Sequence, residues 1–373
     1  MSSASRFDAY YEDCINEIEE LYDRDRGTGD EEMETGMTGL INQGYSCYVN
    51  CVLQSLLNTP KFAFLYILKA LKPYINPNNT RGTKGALTGS LSAVADCFWS
   101  TRYKSVDTKE FLVTWPVNFA QDYSGNAITI TSETIARYAN DYFTKQKKYS
   151  SSMVNDIFRI VLCTSTSCPI CLLTRINFEE LINLSVSLAV EDGKTDDRKH
   201  EPPPINLITC LNKHFEPSTM ERSCPKCGKQ DFPRSLYFWR LPEVLILHIK
   251  RFNFVAGETV KDSREIDFPV DDLDMKRYLH PASPDHSKGI ITLYSLYAIV
   301  AHTGTANTGH YTARVKNLDR STDFWQLFDD LDRRELKYRD VKTSAAYMLY
   351  YARNAMDKAM SPEQMNGEKK QNA

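Results

Sequence analysis

Gly39-Leu40-Ile41-Asn42-Gln43-Gly44-Tyr45-Ser46-Cys47-Tyr48-Val49-Asn50, GLINQGYSCYVN, runs directly into CVLQSLLNTP. Val49, Val52, Leu53, Leu56 and Leu57 recur at the spacing of one helix face, and Pro60 ends the pattern after about three turns. Ser46 is suited to cap that helix, which places Cys47 in its first turn. There, unpaired backbone N–H groups and the positive end of the helix dipole favour an anion, so the placement suits a nucleophilic thiolate. Gly39 and Gly44 permit an irregular approach to the helix, and Asn42 lies in it with a side-chain amide able to donate. An ordinary turn before a buried helix is the plainer reading, and it is the better one for Cys51, one turn further on.

Working outward, 373 residues suffice for two or three substructures around a substantial core. A net charge of −3 gives no general attraction to nucleic acid or an anionic membrane, which counts against a zinc-ribbon nucleic-acid module. The opening MSSASRFDAYYEDCINEIEE is polar and acidic, and no later run is long enough to span a bilayer. A cytoplasmic or nuclear location is expected, and in such a compartment ten cysteines read as thiols, metal ligands or a nucleophile rather than a disulfide framework.

Residues 8–22 read as a short amphipathic helix, followed by the acidic linker RDRGTGDEEMETG, so that residues 1–36 form a flexible extension and the folded part begins near Met37. Patterns from Cys47 to about Phe143 are mainly helical, including KFAFLYILKAL and SLSAVADCFW. From about Met153 to Phe254 they turn to short β-rich runs, the last of them VLILHIKRFNF, with Ile249, Phe252 and Phe254 as its core-strand markers. Four strand-like segments close the chain: YSLYAIVAHTG, GHYTARVKN, DFWQLFDD and AAYMLYYAR, expected to pair antiparallel. Residues 354–373 are polar, without periodicity, and read as a disordered tail.

Two C-P-x-C pairs, Cys168/Cys171 and Cys224/Cys227, are separated by strand-like residues. Four thiolates at this spacing suit a structural zinc with no open position, whereas a redox CxxC would require only one pair. Cys163 fits a strand core. His310 follows the turn HTGTANTG and opens a strand, and nineteen residues later Trp325-Gln326-Leu327-Phe328 ends in Asp329 and Asp330. Hairpin geometry can set Asp329 beside His310, where a carboxylate orients an imidazole, although the two acids could instead cap a loop or pair with Arg333 and Arg334.

Taken together, GLINQGYSCYVNCVLQSL, SVDTKEFL at 105–112, the two C-P-x-C pairs, LILHIKRF at 245–252, YSLYAIVAHTGTANTGHYTARVKN, FWQLFDD and AAYMLYYAR resemble the catalytic domain of the ubiquitin-specific protease family. The resemblance covers about Met37 to Arg353. It implies an α+β, papain-like cysteine protease with a thumb at about 37–150, zinc-bearing fingers and part of the palm at about 151–254, and the rest of the palm at about 255–353. It implies Cys47 as nucleophile, His310 as general base, Asp329 as orienting acid, Asn42 as oxyanion donor, and Asp330 as auxiliary acid. From the resemblance alone, Asp107 and Glu110 hold the ubiquitin tail; three residues apart, they would share a face if both lay on a helix, although Asp107 could instead merely cap the helix that carries Glu110. Its implied partners are ubiquitin and ubiquitinated proteins, with room for an activating or scaffold protein and none for nucleic acid or membrane; its one cofactor is structural zinc. Two features depart from the family pattern. Ser105-Val106 stand where the family usually has two glutamines, and Trp115-Pro116 interrupt the helix that normally continues after EFL. A protease for another ubiquitin-like modifier, or a catalytically silent ubiquitin-binding scaffold, are the alternatives.

Overall fold

The computed structural model describes residues 3–24, 35–44, 46–76, 83–114, 135–137, 139–140, 142–144, 152–188, 205–220, 223–224, 226–255, 257–317 and 324–354. The chain divides into two compact units, one built on Met1–Gln121 and Ala298–Val341, the other on Asp122–Tyr297 and Lys342–Ala359.

In the first unit the helix begins at the thiol, Cys47–Leu57, and Pro60 does not end helical structure but starts a second helix, Pro60–Ile67. Proline fits a first helical turn because its missing N–H would have no partner there. Helices Ala86–Trp99 and Lys109–Thr114 follow, joined by a short strand, Ser105–Val106, that pairs in parallel with Gly39–Leu40. The later strands form an antiparallel run. Gly309–Lys316 pairs on one side with Ala298–Gly304, the end of a strand starting at Leu293, and on the other with Trp325–Asp329. Trp325–Asp329 then pairs with Asp332–Leu336, a strand that its sequence, DRREL, conceals. It has no alternation of apolar residues because both its faces are largely wet.

The N-terminal segment departs from the expected flexible extension. Ser3–Arg24 is one helix of 22 residues, longer than the 8–22 read from the pattern. Phe7, Cys14 and Ile18 recur on one face and are buried at 0%, 1% and 3% exposure. Its backbone comes so close to helix Ala86–Trp99 that a Cβ on Gly89 would lie 2.5 Å from the Phe7 carbonyl oxygen. Tyr11 donates to Asp96 at 2.7 Å and Lys72 pairs with Asp8 at 2.6 Å. The short apolar stripe lies within an acidic sequence, so the pattern marks a helix without announcing that it docks on a folded unit. Residues 25–34, most of the linker, and 355–373, nearly all of the tail, lie outside the described residues.

In the second unit a four-stranded antiparallel sheet runs Thr174–Leu181, Ile160–Ser167, Phe232–Arg240, Ser218–Met220. Val161, Cys163, Ile176, Phe178 and Trp239 bury one side of it against Ala139 and Phe143, so Cys163 is a core residue. Val244–Lys250 pairs antiparallel with Ala346–Arg353 and parallel with Leu184–Ser187. Here the continuous run VLILHIKRFNF is broken. Arg251 is 1% exposed, and its guanidinium donates to the carbonyls of Ala346, Asp262, Arg264 and Ser344. Beyond it, Phe252–Val255 forms a separate hairpin with Glu258–Lys261. Phe254 therefore stands 78% exposed, contrary to its reading as a core-strand residue. A buried cation whose three nitrogens all donate to carbonyls acts as a local fastener, and the strand ends where it is inserted.

Candidate active site

The approach to Cys47 is fastened along the strand beside it. Gly39 N–H donates to the Lys104 carbonyl and Ile41 N–H to that of Val106, both at 3.0 Å. Asn50, buried on the Cys47 helix, donates its amide to the carbonyls of Leu40 and Ile41. Ser46 stands at the N-cap position, yet its hydroxyl makes no capping bond to the helix. Instead its Oγ accepts the Gln43 N–H at 2.8 Å, and its own N–H donates to Asn42 Oδ1 at 3.2 Å. The serine thus closes the loop preceding the helix rather than the helix end.

Tyr48, next to the thiol, meets Tyr311, next to His310, edge to face at 5.0 Å between ring centres. That contact seats the helix start against the strand that carries the imidazole. Tyr311 also packs on the His302 ring at 4.5 Å, and Gly309 lies so close to that ring that any Cβ would run into it. His310 Nε2 then lies 2.6 Å from Asp329 Oδ1. With Nε2 carrying the proton toward the carboxylate, Nδ1 is the nitrogen left to accept one.

Adjacent strand residues point to opposite faces, so Asp329 and Asp330 should diverge. They converge instead. Asp330 has left the strand, with φ of 51°, and this turn swings its carboxylate back until Oδ2 is 4.0 Å from His310 Nε2. The same oxygen accepts from Asn42 Nδ2 at 2.9 Å, while Oδ1 is buried without a hydrogen-bond partner among the described residues. Asn42 is thereby held at both ends, its oxygen by Ser46 and its amide by Asp330. An amide has two hydrogens, so one remains for another acceptor. The sequence held no signal for this pairing of residues 288 positions apart.

Of the two cysteines on this helix, only Cys47 is suited to reaction. Cys51 is 4% exposed, and burial, then the neighbouring Cys47 and Asp330, push its thiol well above the ordinary range. A thiol that stays protonated is a poor nucleophile.

Asp107 and Glu110 do not share a helix. The helix starts at Lys109, and Asp107 precedes it, with Oδ1 accepting the Lys109 N–H at 2.8 Å in the manner of a cap. The same oxygen takes the Gln43 side-chain amide at 2.7 Å. The N-terminal helix adds a third carboxylate to this neighbourhood. Burial and then Glu110 push the Glu17 carboxyl up, opposed by Lys109, whose ammonium is 3.4 Å away.

In the second unit, Cys168, Cys171, Cys224 and Cys227 bring their sulfurs within 4.8 Å of one another. Cys168–Cys227 and Cys171–Cys224 are each 3.5 Å apart, against about 3.8 Å along the edge of a tetrahedron of Zn–S bonds. The two knuckles repeat one geometry. In each, the first cysteine's carbonyl accepts from the residue four places on, Leu172 or Gly228, and its N–H donates to the carbonyl one place further. Both fourth-place residues have positive φ, 55° and 72°. The Cys171 N–H, against some opposition from burial, brings the Cys168 thiol down to about 6. Cys227 moves up to about 12: the Lys229 N–H favours its thiolate, but desolvation and its three sulfur neighbours outweigh it. Sulfurs that resist joint ionisation are what a divalent cation would relieve. The cluster is compatible with zinc.

A thiol at a helix start, an imidazole on the facing strand and a carboxylate fixing that imidazole define the class of papain-like thiol hydrolases. The family model "Ubiquitin carboxyl-terminal hydrolase" matches residues 38–351, and the chain belongs to that family. Human ubiquitin carboxyl-terminal hydrolase 2 is 24% identical over 85% of this chain, which covers 55% of that protein. The human hydrolase 3 is 25% identical over 84% of this chain and 67% of its own length. Ubiquitin carboxyl-terminal hydrolase 5 of Arabidopsis thaliana is 36% identical over 42% of this chain, which spans only 17% of that relative. Among solved structures, the SAGA Ubp8/Sgf11/Sus1/Sgf73 DUB module bound to ubiquitin aldehyde superposes with a TM-score of 0.58 at 23% identity, covering 91% of this chain and 75% of that one. A yeast SAGA DUBm structure gives 0.57 with the same coverage. The fold is theirs, mixed helix and strand. Among the described residues no helix is long and apolar enough to cross a membrane.

Proposed function

We propose that this chain is a thiol-dependent ubiquitinyl hydrolase that cleaves isopeptide or peptide bonds after the C-terminal glycine of ubiquitin, with thumb, fingers and palm at about 37–150, 151–254 and 255–353. The observation that carries the reading is the His310–Asp329 contact of 2.6 Å, in the same unit as a helix-start thiol and a tethered asparagine. His310 Nδ1 takes the Cys47 proton, and the thiolate attacks the carbonyl carbon. The oxyanion is received by the second hydrogen of the Asn42 amide and a backbone N–H at the helix start; losing one such donor costs about 3 kcal/mol of barrier. His310 returns its proton to the leaving amine, then activates water to hydrolyse the thioester. Asp329 stabilises the imidazolium, and Asp330 acts through Asn42. The free oxygen of Asp107, together with Glu110, receives basic side chains of the ubiquitin tail.

Zinc held by Cys168, Cys171, Cys224 and Cys227 would cross-link the two knuckle turns that carry them, and no chemical step passes through it. The partners of this reading are ubiquitin, ubiquitinated proteins and an activating or scaffold protein, in the cytoplasm or nucleus. Ubiquitin carrying a C-terminal electrophile, tested beside the same warhead on other ubiquitin-like modifiers, decides the reading. A single adduct at Cys47 with ubiquitin, absent in Cys47→Ala, is expected. Labelling only by another modifier would reassign the substrate, and no labelling by any would favour a silent ubiquitin-binding scaffold.

A further inference from the structure

We infer that Gln43 is a positioning residue for the oxyanion loop, acting by hooking that loop onto Asp107. The inference rests on the proposed thiol hydrolysis and names what sets its geometry. Residues 39–43 lie along 104–107 as a ladder whose first rungs are the backbone bonds from Gly39 to Lys104 and from Ile41 to Val106. The backbone ladder stops at Ile41, just before Asn42. One more rung follows, made by a side chain: Gln43 Nε2 to Asp107 Oδ1 at 2.7 Å. A charged acceptor makes it stronger than a neutral pair.

Both ends of that rung are anchored. Asp107 Oδ1 also accepts the Lys109 N–H, which fixes it to the helix start, and Lys109 is paired in turn with Glu17 of the N-terminal helix. Gln43 N–H donates to Ser46 Oγ, one residue from Cys47, and Ser46 N–H holds Asn42 Oδ1. At Gly44, with φ of 95°, a Cβ would meet nothing within 4 Å, so the loop stands in open space beside that residue. The Gln43–Asp107 rung thus ties the loop between Asn42 and the thiol, while the Asn42–Asp330 and Thr108–Asn50 bonds hold its two flanks. A donor held about an ångström out of place loses much of its value to a developing oxyanion.

The test compares Gln43→Leu, which keeps length but removes the donor, with Gln43→Lys, which restores a donor toward Asp107. Steady-state cleavage of ubiquitin bearing a C-terminal fluorophore is measured with the rate of Cys47 alkylation by iodoacetamide and the thermal midpoint. Gln43→Leu is expected to lower kcat about fivefold to tenfold with KM and thermal midpoint nearly unchanged, and Gln43→Lys to recover most of the loss. Asp107→Ala should lower kcat at least as much and also raise KM, because its other oxygen receives the ubiquitin tail, and adding Gln43→Leu to it should lower kcat no further, because the rung is already gone. Wild-type kcat in Gln43→Leu, or additive losses in the double variant, would overturn the inference while leaving the hydrolase reading intact. Should the wild-type protein leave ubiquitin uncleaved, the alkylation rate still reads the loop. A rate changed about threefold or more by Gln43→Leu and restored by Gln43→Lys supports the hook, and an unchanged rate rejects it.

Discussion

At the scale of single residues, the two adjacent acids separate into different tasks by what each oxygen touches. Asp329 faces the imidazole, where the transition state develops a positive charge, so removing its charge is enough to do harm. Asp330 faces an amide, which needs an acceptor rather than a charge. Asp329→Asn is therefore expected to lower kcat by a factor on the order of a hundred to ten thousand. Asp330→Asn, whose side chain still offers an oxygen to Asn42, should lose far less than Asp330→Ala. Measured kcat values in which Asp330→Asn and Asp330→Ala are equally damaged would refute the acceptor role. His310 and Asp329 were legible in the sequence, because a strand's start and its neighbour's end must meet in an antiparallel hairpin. Asp330 was not: its direction depends on a left-handed backbone angle that the letters DD do not announce.

At the scale of elements, the knuckles and the N-terminal helix show what pattern reading captures and what it loses. Cysteine spacing is local, so both knuckles could be read directly, and their sulfurs do converge. The purified protein is expected to carry about one zinc, and Cys224→Ser to lose it with a lower thermal midpoint, since a closed site needs all four ligands. Metal analysis showing full zinc in that variant would reject the assignment. The repeat of geometry between knuckles adds a finer expectation: Leu172 occupies with φ of 55° the place Gly228 fills in the other, and it is 75% exposed. Leu172→Gly gives up little packing while relieving backbone strain of about 1 kcal/mol, partly offset by a freer unfolded chain. Its thermal midpoint should equal or exceed that of wild type, and a clear fall would show that the exposed leucine is held by something unseen. The N-terminal helix was legible as residues 8–22, but its docking was not, because among the described side chains its buried apolar face holds only Phe7, Cys14 and Ile18. Phe7→Ala should cost about 3 kcal/mol, as a buried aromatic does, and a thermal midpoint unmoved by that change would return the segment to the status of an appendage.

At the scale of the whole molecule, buried titratable groups set the expected response to acid. Desolvation pushes His214, His248 and His280 below the usual histidine value, with Lys250 adding to it for the first two. All three belong to the second unit. Unfolded histidine titrates near 6.5, so above that pH both states are neutral and the fold keeps its full stability. As pH falls below about 6.5 the unfolded chain binds protons first, and stability is lost until the lower folded values are passed. His280 shows the cause most directly. Its ring sits between Tyr237 and Trp239, and Nδ1 accepts the Ala282 N–H, a bond that a protonated ring cannot accept. The thermal midpoint should therefore decline between pH 7.5 and 5.5. His280→Asn, which keeps an acceptor but no titrating ring, should melt lower throughout because it loses the aromatic contacts, yet decline less steeply over the same interval. A decline as steep as wild type would remove His280 from the acid response, and a midpoint that rose on acidification would reverse the sign argued here.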